Sequence, residues 1–531
     1  MKEFNTTAVC VPSRHYMVDL SRRVEEIKEI VDAGKYFTIN RARQYGKTTT
    51  LTALSDHLSK EYDVISIDFQ DVTDADFVDE SEFVKGLANL FCDTKDTMDI
   101  PVPDSIYEKL RVLGEEEKKI KFSTLFRVFD EWCRNTIKPV VLIIDEVDSA
   151  TNNQVFLDFL AKLRSNYIKR EKNPEYKTFQ SVILAGVTDV KHLKGKIRDE
   201  DQHRVNSPWN IAADFDIDMS LSEAGIKGML EEYEADHHTG MDAASIAKQI
   251  REYTNGYPYL VSRICQIIDT KLYPVKFGTL AKAWTDYGVD EAVRIILSED
   301  NTFFDSVMGK LINYPELNGQ LRRILLRGEV IAYVPDDEEQ KQLRMYGFIR
   351  NEHNTIAVAN RIFEMRLYAY YIGTNDRYND LKQSASEHKS IFVLEDGWLD
   401  VPKIMDHFIR DHNRIHAGQT EKFLEEEGRE RFVTYLSAII NGTGTYSIEE
   451  QTRSRKRMDV VIHYLGRRYV VELKIWHGQR YNSEGEQQIR GYLDYFGLDT
   501  GYMLSFNFNK KKEPGVYRVK AGSKTLFEGI V

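Results

Sequence analysis

Cysteine is scarce. Four occur in 531 residues, Cys10, Cys92, Cys133 and Cys265, with no CxxC pair and no histidine cluster beside any of them. That scatter excludes a disulfide framework and a zinc ribbon, and leaves the thiols to be read as buried or incidental. Long apolar runs are missing too: no stretch approaches the roughly 18 consecutive apolar residues that a bilayer span needs, and the first 14 residues lack the apolar core of a signal peptide. A cytoplasmic chain with no membrane contact is therefore expected. Nor is there an excess of positive charge. The 72 basic and 84 acidic side chains give a formal charge of −12, so any contact with nucleic acid must come from local basic patches. The absence of internal repeats and low-complexity runs removes solenoids and propellers.

What is present is ample apolar material. Hydrophobic residues make up 42% and aromatic residues 11% of the chain. The length exceeds what one hydrophobic core supports, so several domains are expected. Tyr36 to Asn40, Val64 to Phe69, Val140 to Asp145 and Ser181 to Val187 are short, nearly all-apolar runs separated by helical patterns. Runs of this kind belong to a parallel sheet covered by helices on both faces. The fold class read from this pattern is α/β, with a parallel-sheet core over residues 1–222 and a helical lid over 223–300. A winged-helix-like module follows over 301–372, with its wing at Gly347 to Ile349 and Ile356 to Ala359, turned by Glu352 to Asn354. The polar stretch 373–389 reads as a linker, and 390–531 as a separate α/β domain.

The run Arg41-Ala-Arg43-Gln44-Tyr45-Gly46-Lys47-Thr48-Thr49 follows an expected strand and opens an expected helix, the setting of a Walker A loop. There, backbone N–H groups wrap phosphates, Lys47 reaches the β- and γ-phosphates, and the Thr48 hydroxyl serves Mg²⁺. Arg41 stands where the strict pattern has its first glycine, and a positive φ there would be awkward for arginine. About one hundred residues later, Val140 to Glu146 is an apolar strand ending in two carboxylates. Asp145 suits Mg²⁺ and Glu146 suits the polarising of water. Thr188 or Asp189, at the next strand end, is placed to contact the γ-phosphate or water.

These motifs, together with Ala185-Gly-Val-Thr-Asp189, Ser207-Pro-Trp-Asn210 and Asn255-Gly-Tyr-Pro-Tyr259, occur in an order that resembles the AAA-like archaeal-type ATPases related to the STAND class. The likeness covers roughly Met1 to Tyr371. It implies a nucleotide-operated switch with ATP and Mg²⁺ as cofactors, in which a lid helix starting at Tyr257 and Pro258, with Arg263 further along, faces the nucleotide. Arg164, Arg198 and Arg204 lie in regions suited to an arginine finger, with nothing to choose among them.

A second constellation lies near the C-terminus. Arg457-Met458-Asp459 opens one apolar strand, and Tyr469-Val-Val-Glu472-Leu473-Lys474 forms the next. Residues two apart on a strand share a face, so Glu472 and Lys474 point the same way and can meet Asp459 across the hairpin. The carboxylates suit Mg²⁺, with Mn²⁺ as a substitute, Leu473 would bring its carbonyl near the ion, and Lys474 would act on the attacking water. Gln488 and Tyr492 share one face of a following helix, and Glu430 sits on a helix upstream.

Acidic helix, Asp strand, Glu-x-Lys strand and Gln-x-x-x-Tyr helix in that order resemble the PD-(D/E)xK nuclease superfamily, with a last element like that of RecB-type nucleases. Met458 stands where the motif's name has proline. The resemblance implies metal roles for Asp459, Glu472 and Lys474, with Glu430 assisting and Gln488 and Tyr492 supporting the site. Arg453, Arg455, Lys456, Arg457, Arg467 and Arg468 surround it and could neutralise phosphates. The expected function is an ATP-controlled, Mg²⁺-dependent nuclease acting on DNA rather than RNA, working as a homo-oligomer or with a regulatory partner. The alternative is a nucleotide-dependent sensor or scaffold that binds without cutting, and a DNA-translocating motor is a third. Phage defence, a toxin-like effector and a mobile-element function all suit such a switch, and no residue chooses among them.

Overall fold

A strand that is apolar on both faces needs cover on both faces, and all six residues of Val140–Asp145 are buried. In the computed structural model it is one of four parallel strands, β1 (Phe37–Asn40), β2 (Asp63–Asp68), β3 (Val140–Asp145) and β4 (Ser181–Gly186), ordered β1-β4-β3-β2. The structure describes residues 2–98, 100–151, 153–188, 190, 207–327, 329–374, 378–415, 425–451, 457–475, 479–507 and 513–531. Alternate residues of β3 enter different cores. Val141 and Ile143 join Ile39, Ile183 and the helices Ser21–Asp32 and Lys47–Leu58. Leu142 and Ile144 face an aromatic-rich core under the helices Glu80–Met98, Phe122–Asn135 and Gln154–Lys172. Each such aliphatic side chain contributes roughly 1.5–3 kcal/mol on burial, which anchors the strand ends where polar residues emerge. Register pairs Asn40 with Gly186 and Asp68 with Asp145, so the carboxyl ends line up along one edge.

The chain divides into two compact units, Met1–Tyr233 with Tyr257–Ser262 and Gln342–Gly347, and Glu234–Gly256 with Arg263–Lys341 and Phe348–Val531. This division does not fall at the boundaries read from the sequence. The segments 257–262 and 342–347 belong with the sheet because they pack against its loops. A Cβ on Gly347 would lie 2.7 Å from that of Ala42, and Gly347 has φ +81°.

In the second unit, helices including Ala243–Thr254, Asp286–Ser298, Thr302–Asn313 and Asn318–Arg327 precede a hairpin of β5 (Ile349–Glu352) and β6 (Thr355–Val358). His353 and Asn354 turn it with φ 51° and 64°, the doubly left-handed turn that tight hairpins favour. The hairpin thus begins two residues later than expected, since Gly347 is left-handed and lies outside the strand. The expected linker also differs: within 373–389 the structure has a helix, Asn379–Glu387. Tyr378, Leu381 and Ala385 are buried at helical spacing, an apolar stripe that the polar composition of the segment concealed.

The helices Val401–Ile415 and Glu425–Ile440 lead into a six-stranded sheet of β7 (Gly444–Gln451), β8 (Arg457–Tyr464), β9 (Arg467–Ile475), β10 (Thr500–Phe506), β11 (Gly515–Ala521) and β12 (Lys524–Ile530), ordered β11-β12-β10-β9-β8-β7. Strand β10 runs parallel to both neighbours, and the remaining pairs are antiparallel. One face is covered by the helix Gln479–Phe496, whose Ile489 and Leu493 close on Gly501 and share a core with Val461 and Val470. On the other face Phe408 packs on Phe432 and Phe506. Among the described residues no helix is long and apolar enough to cross a membrane.

Candidate functional site

The loop after β1 is shaped by two left-handed residues, Gln44 (φ 55°) and Gly46 (φ 77°), the latter starting the helix Lys47–Leu58. Arg41 avoids the awkward conformation expected of it. Its backbone N–H continues the β1–β4 pairing to Gly186, while its guanidinium donates to the Ile217 carbonyl and lies 5.4 Å from the Phe215 ring centre. Lys47 is 5% exposed, and its ammonium donates to the carbonyls of Arg41 and Ala42 at 3.1 and 3.3 Å. Burial lowers its pKa, against the pull of Glu146, Asp148 and Asp145. The hydroxyl of Thr48 donates to Asp145 Oδ2 at 2.9 Å. Sequence positions 48 and 145 are thereby brought together at one strand edge.

Glu146 is left-handed (φ 51°) and its N–H donates to Asp145 Oδ1. Burial raises the Glu146 pKa; Lys47 opposes this, and Asp145, Asp148 and Asp68 add to it. Asp148 is a residue that motif reading missed. Its two oxygens accept from the backbone N–H groups of Val187 and Thr188, both at 2.7 Å, fixing the loop after β4. The signal was its place three residues after Asp145. Thr188 thus contributes its backbone here, while Asp189 lies outside the described residues, as do Arg198 and Arg204.

Tyr257 and Pro258 meet this loop. The Tyr257 hydroxyl donates to the Arg43 carbonyl at 2.5 Å, its ring meets Tyr45 edge-on at 4.7 Å, and Pro258 lies over Gly46. Thr49 is engaged differently: its Oγ1 accepts from the Cys10 N–H at 3.1 Å, holding the N-terminal segment beside the loop. A cavity of about 140 Å³ results, lined by that segment, Gln44, Gly46, Thr50, Met229, Pro258 and Tyr259. Nothing in the motifs announced the N-terminal wall, because it is made by proximity and not by a residue pattern. Arg263 instead forms an ion pair with Glu299, the closest approach being 2.5 Å.

A model of the AAA-like domain family matches residues 4–372. The chain belongs to the AAA-like domain family. It carries the nucleotide-binding ATPase domain of that family, with the α/β parallel sheet. An uncharacterized WD repeat-containing protein of Synechocystis is 23% identical over 356 residues, 64% of this chain, which spans 28% of that relative's length. Among solved structures, the Walker-type ATPase of Pyrococcus abyssi aligns over 68% of this chain and 99% of its own, at 14% identity and TM-score 0.44. Cdc6p of Pyrobaculum aerophilum aligns over 68% of this chain and 94% of its own, at 12% identity and TM-score 0.33.

In this AAA-like protein the second constellation falls on β8, β9 and the helix Gln479–Phe496. Val460 pairs with Val471, so along the backbone Asp459 precedes one member of a pair and Glu472 follows the other. Glu472 is 1% exposed, and Lys474 Nζ lies 3.6 Å from its Oε1, as the shared strand face requires. Val470, two residues before Glu472, shares a core with the fully buried Tyr492, so the helix Gln479–Phe496 covers the face that carries Glu472 and Lys474. Leu473 points the other way and pairs along the backbone with Leu504. Glu430 lies on the helix Glu425–Ile440, whose Gly428 closes on Phe506. Phe506 alternates with Ser505, the partner of Lys474, so Gly428 contacts the face away from Glu472 and Lys474. The side chains of Asp459 and Gln488 lie outside the described residues, and so do Arg453, Arg455 and Lys456. Among the described residues no group of three or more His, Cys, Asp or Glu side chains is gathered for a metal. Arg467 stacks over Trp398 at 3.8 Å and Arg468 over Phe496 at 5.3 Å.

Proposed function

We propose that this AAA-like protein is an ATP-controlled nuclease, in which nucleotide bound at Gly46–Thr49 governs a C-terminal site that cleaves phosphodiester bonds in DNA. The observation that carries the cleavage reading is the Glu472–Lys474 pair at 3.6 Å, on the strand next to that of Asp459 and beneath the helix of Tyr492. A nearly fully buried carboxylate facing an ammonium is an uncommon structural choice, since ion pairs removed from water rarely stabilise a fold on balance.

At the first site, the amides of Gly46 to Thr49 and the ammonium of Lys47 bind the phosphates, and Tyr257 and Pro258 report occupancy to the lid. The Thr48 hydroxyl and the Asp145 carboxylate, 2.9 Å apart, are hard oxygen donors that fit Mg²⁺. Mg²⁺ held there would offset charge on the phosphates. Glu146, whose carboxyl binds a proton more readily than usual, takes the proton of the attacking water. At the second site, the nearly fully buried Glu472 is likewise a hard donor. Asp459 and Glu472, helped by the Leu473 carbonyl, would hold the Mg²⁺ that polarises a scissile phosphate. Lys474 orients the water and meets the charge that develops, Gln488 and Tyr492 support it, and Arg467 and Arg468 offer charge to the backbone phosphates. The helices and hairpin within 301–372 read as a winged-helix module.

Plasmid, linear duplex and RNA incubated with the protein, with and without Mg²⁺ and ATP, test this. Mg²⁺-dependent loss of DNA that Lys474→Ala abolishes is expected. DNA loss unchanged by Lys474→Ala removes the cleavage assignment, and ATP binding without any cleavage leaves a nucleotide-dependent scaffold.

A further inference from the structure

The second unit contains a polar cluster that neither site uses. Asp290, on the helix Asp286–Ser298, accepts at Oδ1 from Gln249 Nε2 at 2.7 Å and from the Tyr253 hydroxyl at 2.8 Å. Its Oδ2 lies 3.8 Å from Nδ1 of His463, whose side chain is 4% exposed, on β8. The opposite ring nitrogen of His463 is 3.2 Å from an Arg361 nitrogen, which also donates to Ser447 Oγ on β7 at 2.6 Å. The Arg361 guanidinium lies 5.1 Å from the Tyr253 ring centre.

The tautomer follows from donor chemistry. Arginine only donates, so Nε2 of His463 must accept and the ring proton sits on Nδ1, facing Asp290. One imidazole therefore bridges a carboxylate held by the helix Ala243–Thr254 and a guanidinium held at the start of the helix Arg361–Gly373. Gly466, at the tip of the β8–β9 turn, is also packed against the Tyr287 ring on the helix that bears Asp290. Burying polar groups is unfavourable unless they are satisfied, so the bonds to Asp290 and to Ser447 hold this arrangement in place.

Two features of the chain give this clasp a direction. Tyr253 stands four residues before Tyr257, the lid residue that contacts the phosphate loop, and His463 stands four residues after Asp459 on the same strand. We propose that Asp290, His463 and Arg361 form a coupling clasp that ties the helices Ala243–Thr254 and Asp286–Ser298 to β7 and β8, so that nucleotide at the phosphate loop sets the position of the strand bearing Asp459. Asp290, His463 and Arg361 are positioning residues; they touch neither nucleotide nor scissile bond. The proposal rests on the reading that ATP occupies the phosphate loop, and it does not require that the C-terminal site cut.

Hydrogen exchange on the full chain with and without ATP tests the clasp separately from cleavage. In the wild type, ATP is expected to change exchange of the Val460–His463 amides severalfold. In His463→Leu that response is lost, while ATP binding and ATP-independent cleavage stay at wild-type levels; His463→Gln, whose amide can both accept from Arg361 and donate to Asp290, restores it. Tyr253→Phe, which removes one hydroxyl, reduces the response in a background that folds if His463→Leu does not. Exchange at β8 that ignores ATP in the wild type, or that responds equally in His463→Leu or in Tyr253→Phe, overturns the clasp. Absence of cleavage in every variant and in the wild type removes the nuclease reading alone.

Discussion

Lys474→Met separates a working ion pair from an ornamental one. The two charges are 3.6 Å apart, with side chains 13% and 2% exposed. At an effective dielectric constant of about 20, that separation corresponds to about 5 kcal/mol of gross attraction. Removing the ammonium takes the Lys474 charge away from a carboxylate whose side chain is 2% exposed, and the expected net loss is about 3 kcal/mol. A solvated surface pair would lose at most about 1 kcal/mol. Native-state hydrogen exchange at the β9 amides Val470 to Leu473 reads local opening, and 3 kcal/mol appears there as roughly a hundredfold faster exchange. Adding Glu472→Gln removes the charge that Lys474 faced, so the double variant should recover to within about 1 kcal/mol of the wild type. Exchange in Lys474→Met within about threefold of the wild type would refute the buried coupling on which the C-terminal site depends.

Three further outcomes follow from the phosphate loop. Lys47→Ala should weaken ATP about fiftyfold, the equivalent of a lost charge-assisted bond of 2–3 kcal/mol; titration of a fluorescent ATP analogue checks this, and unchanged affinity would count against the loop assignment. Glu146→Gln should keep nucleotide but slow hydrolysis about a hundredfold or more. Because the folded Glu146 carboxyl holds its proton to higher pH than an unfolded one, the wild type loses stability as pH rises from about 4 through that raised pKa, so the melting-temperature advantage of the Gln variant should grow from pH 4 to 7. Gly347→Ala combines a left-handed backbone with a 2.7 Å approach to Ala42, and is expected to lower stability by about 2 kcal/mol and weaken ATP as the loop shifts; a wild-type melting curve would contradict the packing.

Much of the fold could be read from local pattern. Val140–Asp145 matched its expected bounds residue for residue, because five apolar residues ended by a carboxylate leave few alternatives to a covered strand. Two of the other parallel strands lost one residue at an end, and the strand expected over Val64 to Phe69 moved by one residue to Asp63–Asp68. The hairpin β5–β6 slipped because its turn is set by the left-handed pair His353 and Asn354, which composition does not single out. The stretch 373–389 was misread because three apolar side chains at helical spacing outweigh a polar majority. At the sites, Gly46, Lys47, Thr48, Asp145 and Glu146 were legible as motifs, and the Glu472–Lys474 pairing followed from strand alternation alone. Asp148, Gly347, the N-terminal segment at Thr49 and the ion pair that takes up Arg263 were not, since each depends on a partner far along the chain.

The division has a physical basis. Periodicity, strand alternation and motif spacing are properties of neighbours in the chain, and they determined which side chains share a face and which loops can wrap a phosphate. Which faces then meet is set by packing between segments far apart in the chain. That is why Thr48 and Asp145 converge, why the segments 257–262 and 342–347 join the sheet, and why a histidine on β8 comes to bridge Asp290 and Arg361.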